Sequence, residues 1–521
     1  MKKIIIITIL CVILTFSVSF QDVNRKSEEV ERDYIVCNIE NRPKDLKMTD
    51  NKKIREKDLL NSLFEGLVKV NKDGNIVGGL SKEYKVSDDK IEYQFKIRDN
   101  AKYSNGEKIK SKDFVKFFKE FLSDENNLYR EELSCIYGVS DYITNKTSFE
   151  NVAIKDVSDD VLKIRLNKPC DKLLEILSQP VMSLRDYNLL KDFSKCDNSI
   201  KCSGPFILKI NEKDEYVLCK NNNYYNVKEV TDNRILLSFI EDKEEVLANF
   251  EDENCKLDIF IDPPINESLK LTEQDRTEGF LGKQSVYINF NLNNKSISNN
   301  INFRNAINKS LSKEYFIQKI SKDFGVPATS YSIGQENEFD KCSEVSLAKK
   351  YLSEVKYEKD SVVKFLYKNN SIERRIADDI AKDIMEDLDI SVKLISYEEK
   401  DLDKILEGKD FDMMLYIYDN ENTKESYYYL WKSENNKFGF TDLQYDKLIN
   451  NLESDVESSK KNEVYKECEK LLLNKIPAIP IYNLNTVLCR KNFIENVYIN
   501  KNGYLVLSEL KISNEKQKEK S

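Results

Sequence analysis

Histidine is absent from all 521 residues. No side chain therefore has an ordinary pKa near neutrality, which removes Ser-His-Asp and Cys-His nucleophile pairs. Histidine-based zinc and nickel sites go with them. No C-x-x-C pair occurs among the eleven cysteines, which argues against ribbon-type zinc sites and thioredoxin-like redox motifs. Cys196 and Cys202 lie closest among those after Cys11, and two readings stay open for them: a bridge across a short loop, or small buried hydrophobes. No basic excess is present either. The net charge is −9, against general nucleic-acid binding, which needs a basic face for the phosphates. No repeat of solenoid or propeller length is visible, and no segment after residue 20 is apolar enough to cross a membrane.

What is present begins with an export-like N-terminus. Lys2 and Lys3 precede an apolar run from Ile4 to Phe20, and polar sequence follows. Ser17 and Ser19 fit cleavage after Ser19. An uncleaved anchor and lipid attachment at Cys11 remain alternatives, the latter disfavoured by Leu10. The body of the protein is expected outside the cell membrane.

At this length two or three domains are expected. The hydrophobic pattern alternates strands and helices. Tyr34 to Ile39 reads as a strand, and Arg55 to Val70 as a helix running into a strand. Ile91, Tyr93, Phe95 and Ile97 alternate with polar residues. Ser111 is an N-cap candidate for a helix whose core stripe is Phe114, Phe117, Phe118 and Phe121. Asn105-Gly106 reads as a turn with positive φ at the glycine. Strands are expected at Ser285–Leu292 and Ile481–Asn483. From residue 362 the order Val362–Tyr367 strand, Arg374–Leu388 helix, Ser391–Ser396 strand, Leu402–Leu406 helix and Phe411–Tyr418 strand predicts parallel βαβ units.

Several of these segments resemble, in order, the extracellular solute-binding proteins (family 5) of oligopeptide and dipeptide ABC importers. The block LFEGLVKVNKDGNIVGGLSKEYKVS followed by YQFKIRDNAKYSNGEKIKSKDFVKFFKEFL carries most of the likeness. SGPFILKINEKDEYVLCKNNNYYN, Asp258-Ile259, VYINFNLNN, NFRNAINKSLSKEYF and IPAIPIYNLN follow in the expected sequence. The chain departs from the pattern at Lys47-Met48, at Ile210, and at Tyr416 to Thr423, where only the aspartate of a W-x-x-D-Y-x-D-P motif is kept.

The resemblance implies an α/β fold of the periplasmic-binding-protein type II class, with two lobes joined by hinge strands and an extra inserted domain. It divides the chain into a signal peptide or anchor at 1–20, lobe I at 33–70, 201–282 and 487–511, an inserted domain at 71–200, lobe II at 283–486, and a disordered tail at 512–521. It implies a non-enzymatic monomer that takes short peptides by backbone pairing and delivers them to membrane permease subunits, with no cofactor, metal or nucleic acid. Asp419 would pair with the peptide α-ammonium. Tyr416, Tyr418, Tyr427 and Trp431 would wall the pocket, and Arg42 would lie beside it. A surface receptor for peptide signalling and an extracellular peptidase or hydrolase are the competing readings.

Overall fold

The computed structural model describes residues 34–49, 54–187, 200–210, 215–252, 257–293, 296–320, 324–332, 343–357, 361–419, 424–453 and 458–513. The expected signal peptide or anchor lies outside them, as does Cys196. Among the described residues no helix is long and apolar enough to cross a membrane.

One mixed sheet of eleven strands runs through the molecule. Its order is Ser391–Tyr397, Val362–Lys368, Met413–Asp419, Thr277–Phe290, Ala478–Arg490, Ile259–Ile261, Tyr34–Asn38, Arg234–Ser238, Tyr216–Lys220 and Phe206–Ile210. Gly325–Pro327 adds to Ala478–Arg490 from the side. The expected βαβ units are present. Val362–Lys368 pairs in parallel with both Ser391–Tyr397 and Met413–Asp419. The helix Ser371–Leu388 makes the first crossover. It buries Ile376, Ala377, Ile380, Ala381, Ile384 and Leu388 on one face, each full Ile or Leu burial being worth roughly 1.5–3 kcal/mol. Asn370 caps its start by accepting from Glu373 N at 2.8 Å.

Two hydrophobic cores sit on either side of the middle of this sheet. One gathers Ile35, Leu60, Phe64, Phe95, Phe114 and Phe118. The other gathers Val286, Ile288, Phe365, Ile380 and Ile481. Ala478–Arg490 feeds both, with Leu488 in the first core and Ile479 and Ile481 in the second. Thr277–Phe290 runs antiparallel beside it from Thr277↔Cys489 to Asn289↔Ala478. The lobe boundaries expected at 282/283 and 486/487 fall within these two crossing strands.

Both strands are far longer than the expected Ser285–Leu292 and Ile481–Asn483. Gly279, Gly282 and Gln284 interrupt the apolar pattern in one, and Pro480 interrupts the other. Pairing between neighbours overrides these weak local preferences. Pro480 is accommodated at an irregularity, where Val286 faces Tyr482 and Tyr287 faces Pro480.

A separate four-stranded sheet, Ser81–Val86, Glu92–Ile97, Val161–Arg165 and Ile154–Ser158, lies within the expected inserted domain. The helix Ser111–Ser123 packs on it through the expected phenylalanine stripe, all four rings buried. The core under this sheet is continuous with that of the first lobe.

Two expectations need correcting. Ser111 is the first helical residue, not the cap. Its hydroxyl donates to Ser158 O, while the Asp113 carboxylate accepts from Lys110 N at 2.8 Å. Ile512 and Ser513, expected in the tail, are held by the fold: Lys511–Ile512 pairs with Ile494–Glu495, and Ser513 N donates to Phe493 O at 2.8 Å. Gly106 has φ +88° in its turn, as its sequence predicts.

Candidate ligand site between the lobes

Where the two long strands cross, they stop pairing smoothly. The register shifts between Phe280 and Gln284. A Cβ on Gly282 would stand 2.1 Å from Leu484 O, so only glycine permits this approach of the two backbones. The gap is one wall of a cavity of about 160 Å³. Leu281, Gly282, Gln284 and Leu484–Val487 come from the crossing strands, Arg55, Asp262 and Gly503 from the first-lobe side, and Phe324 and Ile372 from the second.

The charged wall residues are held by the fold. Arg55 is buried; it pairs with Asp58 Oδ2 at 3.2 Å and donates to Gly503 O. Asp58 also accepts from Leu505 N at 2.8 Å. This network ties the helix Ile54–Leu63 to the returning C-terminal segment. Burial raises the Asp58 carboxyl to about 6, although Arg55 opposes the shift. Asp262 accepts from Val487 N at 2.9 Å and so anchors one crossing strand. Glu40 follows the strand Tyr34–Asn38 with φ +62°. Burial, then the nearby charge of Asp262, raises its carboxyl above the usual range. The wall thus carries charges of both signs, amides, and apolar side chains.

The strand Met413–Asp419 borders this region asymmetrically. Toward Thr277–Phe290 it pairs continuously, from Met413↔Phe290 to Asp419↔Gln284. Toward Val362–Lys368 it pairs only at Met413 and Met414. From Leu415 onward its second edge has no strand partner among the described residues.

The sequence-predicted site residues fall into three groups. Asp419 ends this strand, directly opposite the cavity residue Gln284. Tyr416 and Tyr418 stand on the same strand and are half-buried, with ring centroids 4.7 Å apart. The Tyr418 hydroxyl donates to Asn289 Oδ1 at 2.9 Å. Trp431 and Tyr427 are core residues, 1% and 5% exposed. Trp431 packs against Tyr287, Tyr331, Tyr418 and Phe440. Arg42 is exposed and lies over the Tyr216 ring at 4.8 Å; it is not a cavity residue. Sequence reasoning missed Arg55, Asp262, Gly282 and Gln284. The one sequence-level signal is that an expected lobe boundary, 282/283, lies beside Gly282 and Gln284.

Among the described residues no cluster of three or more Cys, Asp or Glu is arranged to hold a metal ion. The site offers hydrogen bonds, charge and a strand edge. It holds no nucleophile–imidazole pair, since the chain has no imidazole.

Comparison with known proteins fits this geometry. The profile of bacterial extracellular solute-binding proteins, family 5 (middle) matches residues 75–439. The oligopeptide-binding protein OppA of Bacillus subtilis is 25% identical over 455 residues, covering 81% of this chain and 82% of that protein. The dipeptide-binding protein DppE of the same organism is 23% identical, covering 86% of each. Among solved structures, the unliganded open form of the murein tripeptide-binding protein MppA superposes with a TM-score of 0.75 at 21% identity. It covers 93% of this chain and 98% of that one. Its fold is that of the two-lobed type II binding proteins. The chain therefore belongs to the bacterial extracellular solute-binding proteins, family 5, a family of binding proteins and not of enzymes.

Proposed function

We propose that this protein captures short peptides with a free amino terminus between its lobes, outside the cytoplasmic membrane, and hands them as a monomer to an ABC importer. The carrying observation is the edge of Met413–Asp419 from Leu415 onward, which has no strand partner among the described residues, beside a cavity at the crossing strands. An extended peptide adds to such an edge through main-chain hydrogen bonds, which do not depend on its sequence. Asp419 at the strand's end then receives the peptide α-ammonium, a contact that gains most when closure removes water. Backbone pairing together with the amides and mixed charges of the wall favours a broad range of peptides. The two crossing strands serve as the hinge, since each contributes to a core on either side.

The test is hydrogen exchange with and without a mixture of short peptides. Protection of the amides at 415–419 on binding is expected. Unchanged exchange there, with binding shown by another method, overturns the strand-addition mode. Cleavage of the added peptides would overturn the reading as a carrier.

A further inference from the structure

Cys196 lies outside the described residues, but among those described the fold brings two other cysteines together. Cys135 ends the short turn Arg130–Cys135, and Cys170 lies between the strand Val161–Arg165 and the helix Leu173–Leu177. Ile136 bridges Leu166 in antiparallel fashion. Asn167 N donates to Cys135 O at 2.9 Å, and Asn167 Nδ2 donates to Ser134 O at 3.0 Å. On the far side Gln179 Nε2 donates to Glu132 Oε2 at 2.8 Å. Backbone and side-chain bonds therefore clamp the two segments face to face. Between them the two side chains come within hydrogen-bonding reach, each being the strongest influence on the other's thiol. Both side chains are half-buried at the edge of the first-lobe core, so a small reagent reaches them.

We propose that Cys135 and Cys170 are a disulfide-forming pair, closed by thiol–disulfide exchange with a small disulfide such as cystine. Other described cysteines set the contrast. Cys37, Cys468 and Cys489 are fully buried. Burial pushes all three thiols up, Cys468 to about 12, and such cysteines are inert. Cys170 goes the other way. The Cys135 side chain beside it, with help from the backbone N–H groups of Lys172 and Leu173, draws its thiol down, while the same contact and burial push the Cys135 thiol up.

In the reaction the Cys170 thiolate attacks one sulfur of cystine and expels one cysteine thiolate. Cys135 then attacks the Cys170 sulfur of the mixed disulfide and expels the second. The protons of the two protein thiols end on the two released cysteines, so one disulfide is reduced as one is made. The product closes a loop from 135 to 170. It restrains the unfolded chain and so stabilises the folded one. Neither cysteine lines the interlobe cavity, and the proposal is independent of what binds there.

The test uses the full chain incubated with cystine, alkylated, digested without reduction and analysed by mass spectrometry. The expected product is a peptide pair joined through Cys135 and Cys170, lighter by two hydrogens than the separate peptides. It is reversed by dithiothreitol, with a Tm fall of several degrees. Cys135→Ser is expected to stop the reaction at a stable cysteine adduct on Cys170. Recovery of both cysteines as separate alkylated species or separate adducts overturns the proposal, as does a cross-link from either one to another cysteine. Absence of any adduct on Cys170 in the variant overturns it too.

Discussion

Gln284 and Asp419 face each other across the last antiparallel pair of two neighbouring strands, and Gln284 is itself part of the cavity wall. That register places the end of Met413–Asp419 at the crossing point of the lobes. A slip of one residue would send every side chain of the strand to the opposite face. The position assigned to the ligand's amino terminus is therefore set by a ladder of seven paired residues, from Met413 to Asp419.

Gly282→Ala is expected to cost about 1–3 kcal/mol of stability, because the new methyl would stand 2.1 Å from Leu484 O in a backbone contact that cannot yield cheaply. Urea unfolding measures this. Since the clash lies in a crossing strand, ligand affinity should fall as well. Unchanged stability would show that the strands are freer to part here than their register implies.

Asp58 predicts a pH effect. Its folded pKa, about 6, lies above the usual value of 3.8, so between these values the folded state holds the proton more tightly than the unfolded one. Its contribution therefore falls as pH rises from about 4 to about 6 and levels off above that. The difference across the window is up to about 3 kcal/mol. Unfolding of the wild type and of Asp58→Asn at pH 4.5 and pH 7 isolates it. The wild type should lose more stability than the variant between the two pH values, and equal losses would contradict the assignment.

Much of the fold could be read from the chain because its signals are local. The period-two pattern from Ile91 and the phenylalanine stripe of Ser111–Ser123 needed only neighbouring residues. The parallel units from Val362 onward repeat a strand–helix alternation that has few topological solutions. The cavity was hidden for the opposite reason. Arg55, Asp262, Gln284 and Gly503 are far apart in sequence and meet only through long-range pairing, and Gln284 sits on a strand segment whose glycines and polar residues look like loop. Tyr427 and Trp431 follow the Asp419 segment closely, and both side chains are buried.

Trp431 is the chain's one tryptophan and is 1% exposed. Its fluorescence should be blue-shifted and resistant to quenching by iodide. Trp431→Ala should cost about 3–5 kcal/mol through the cavity it leaves, while Trp431→Phe should keep peptide affinity. Strong quenching by iodide, or a large affinity loss with unchanged stability in the phenylalanine variant, would place this residue in the ligand site.

The most direct measurement is calorimetry of one short peptide and its N-acetylated form against the wild type and Asp419→Asn. The free peptide is predicted to bind the wild type more tightly than its acetylated form by about 2–5 kcal/mol, and the variant is predicted to lose that preference. Equal affinity of the wild type for both forms would contradict an aspartate contact to the peptide amino terminus.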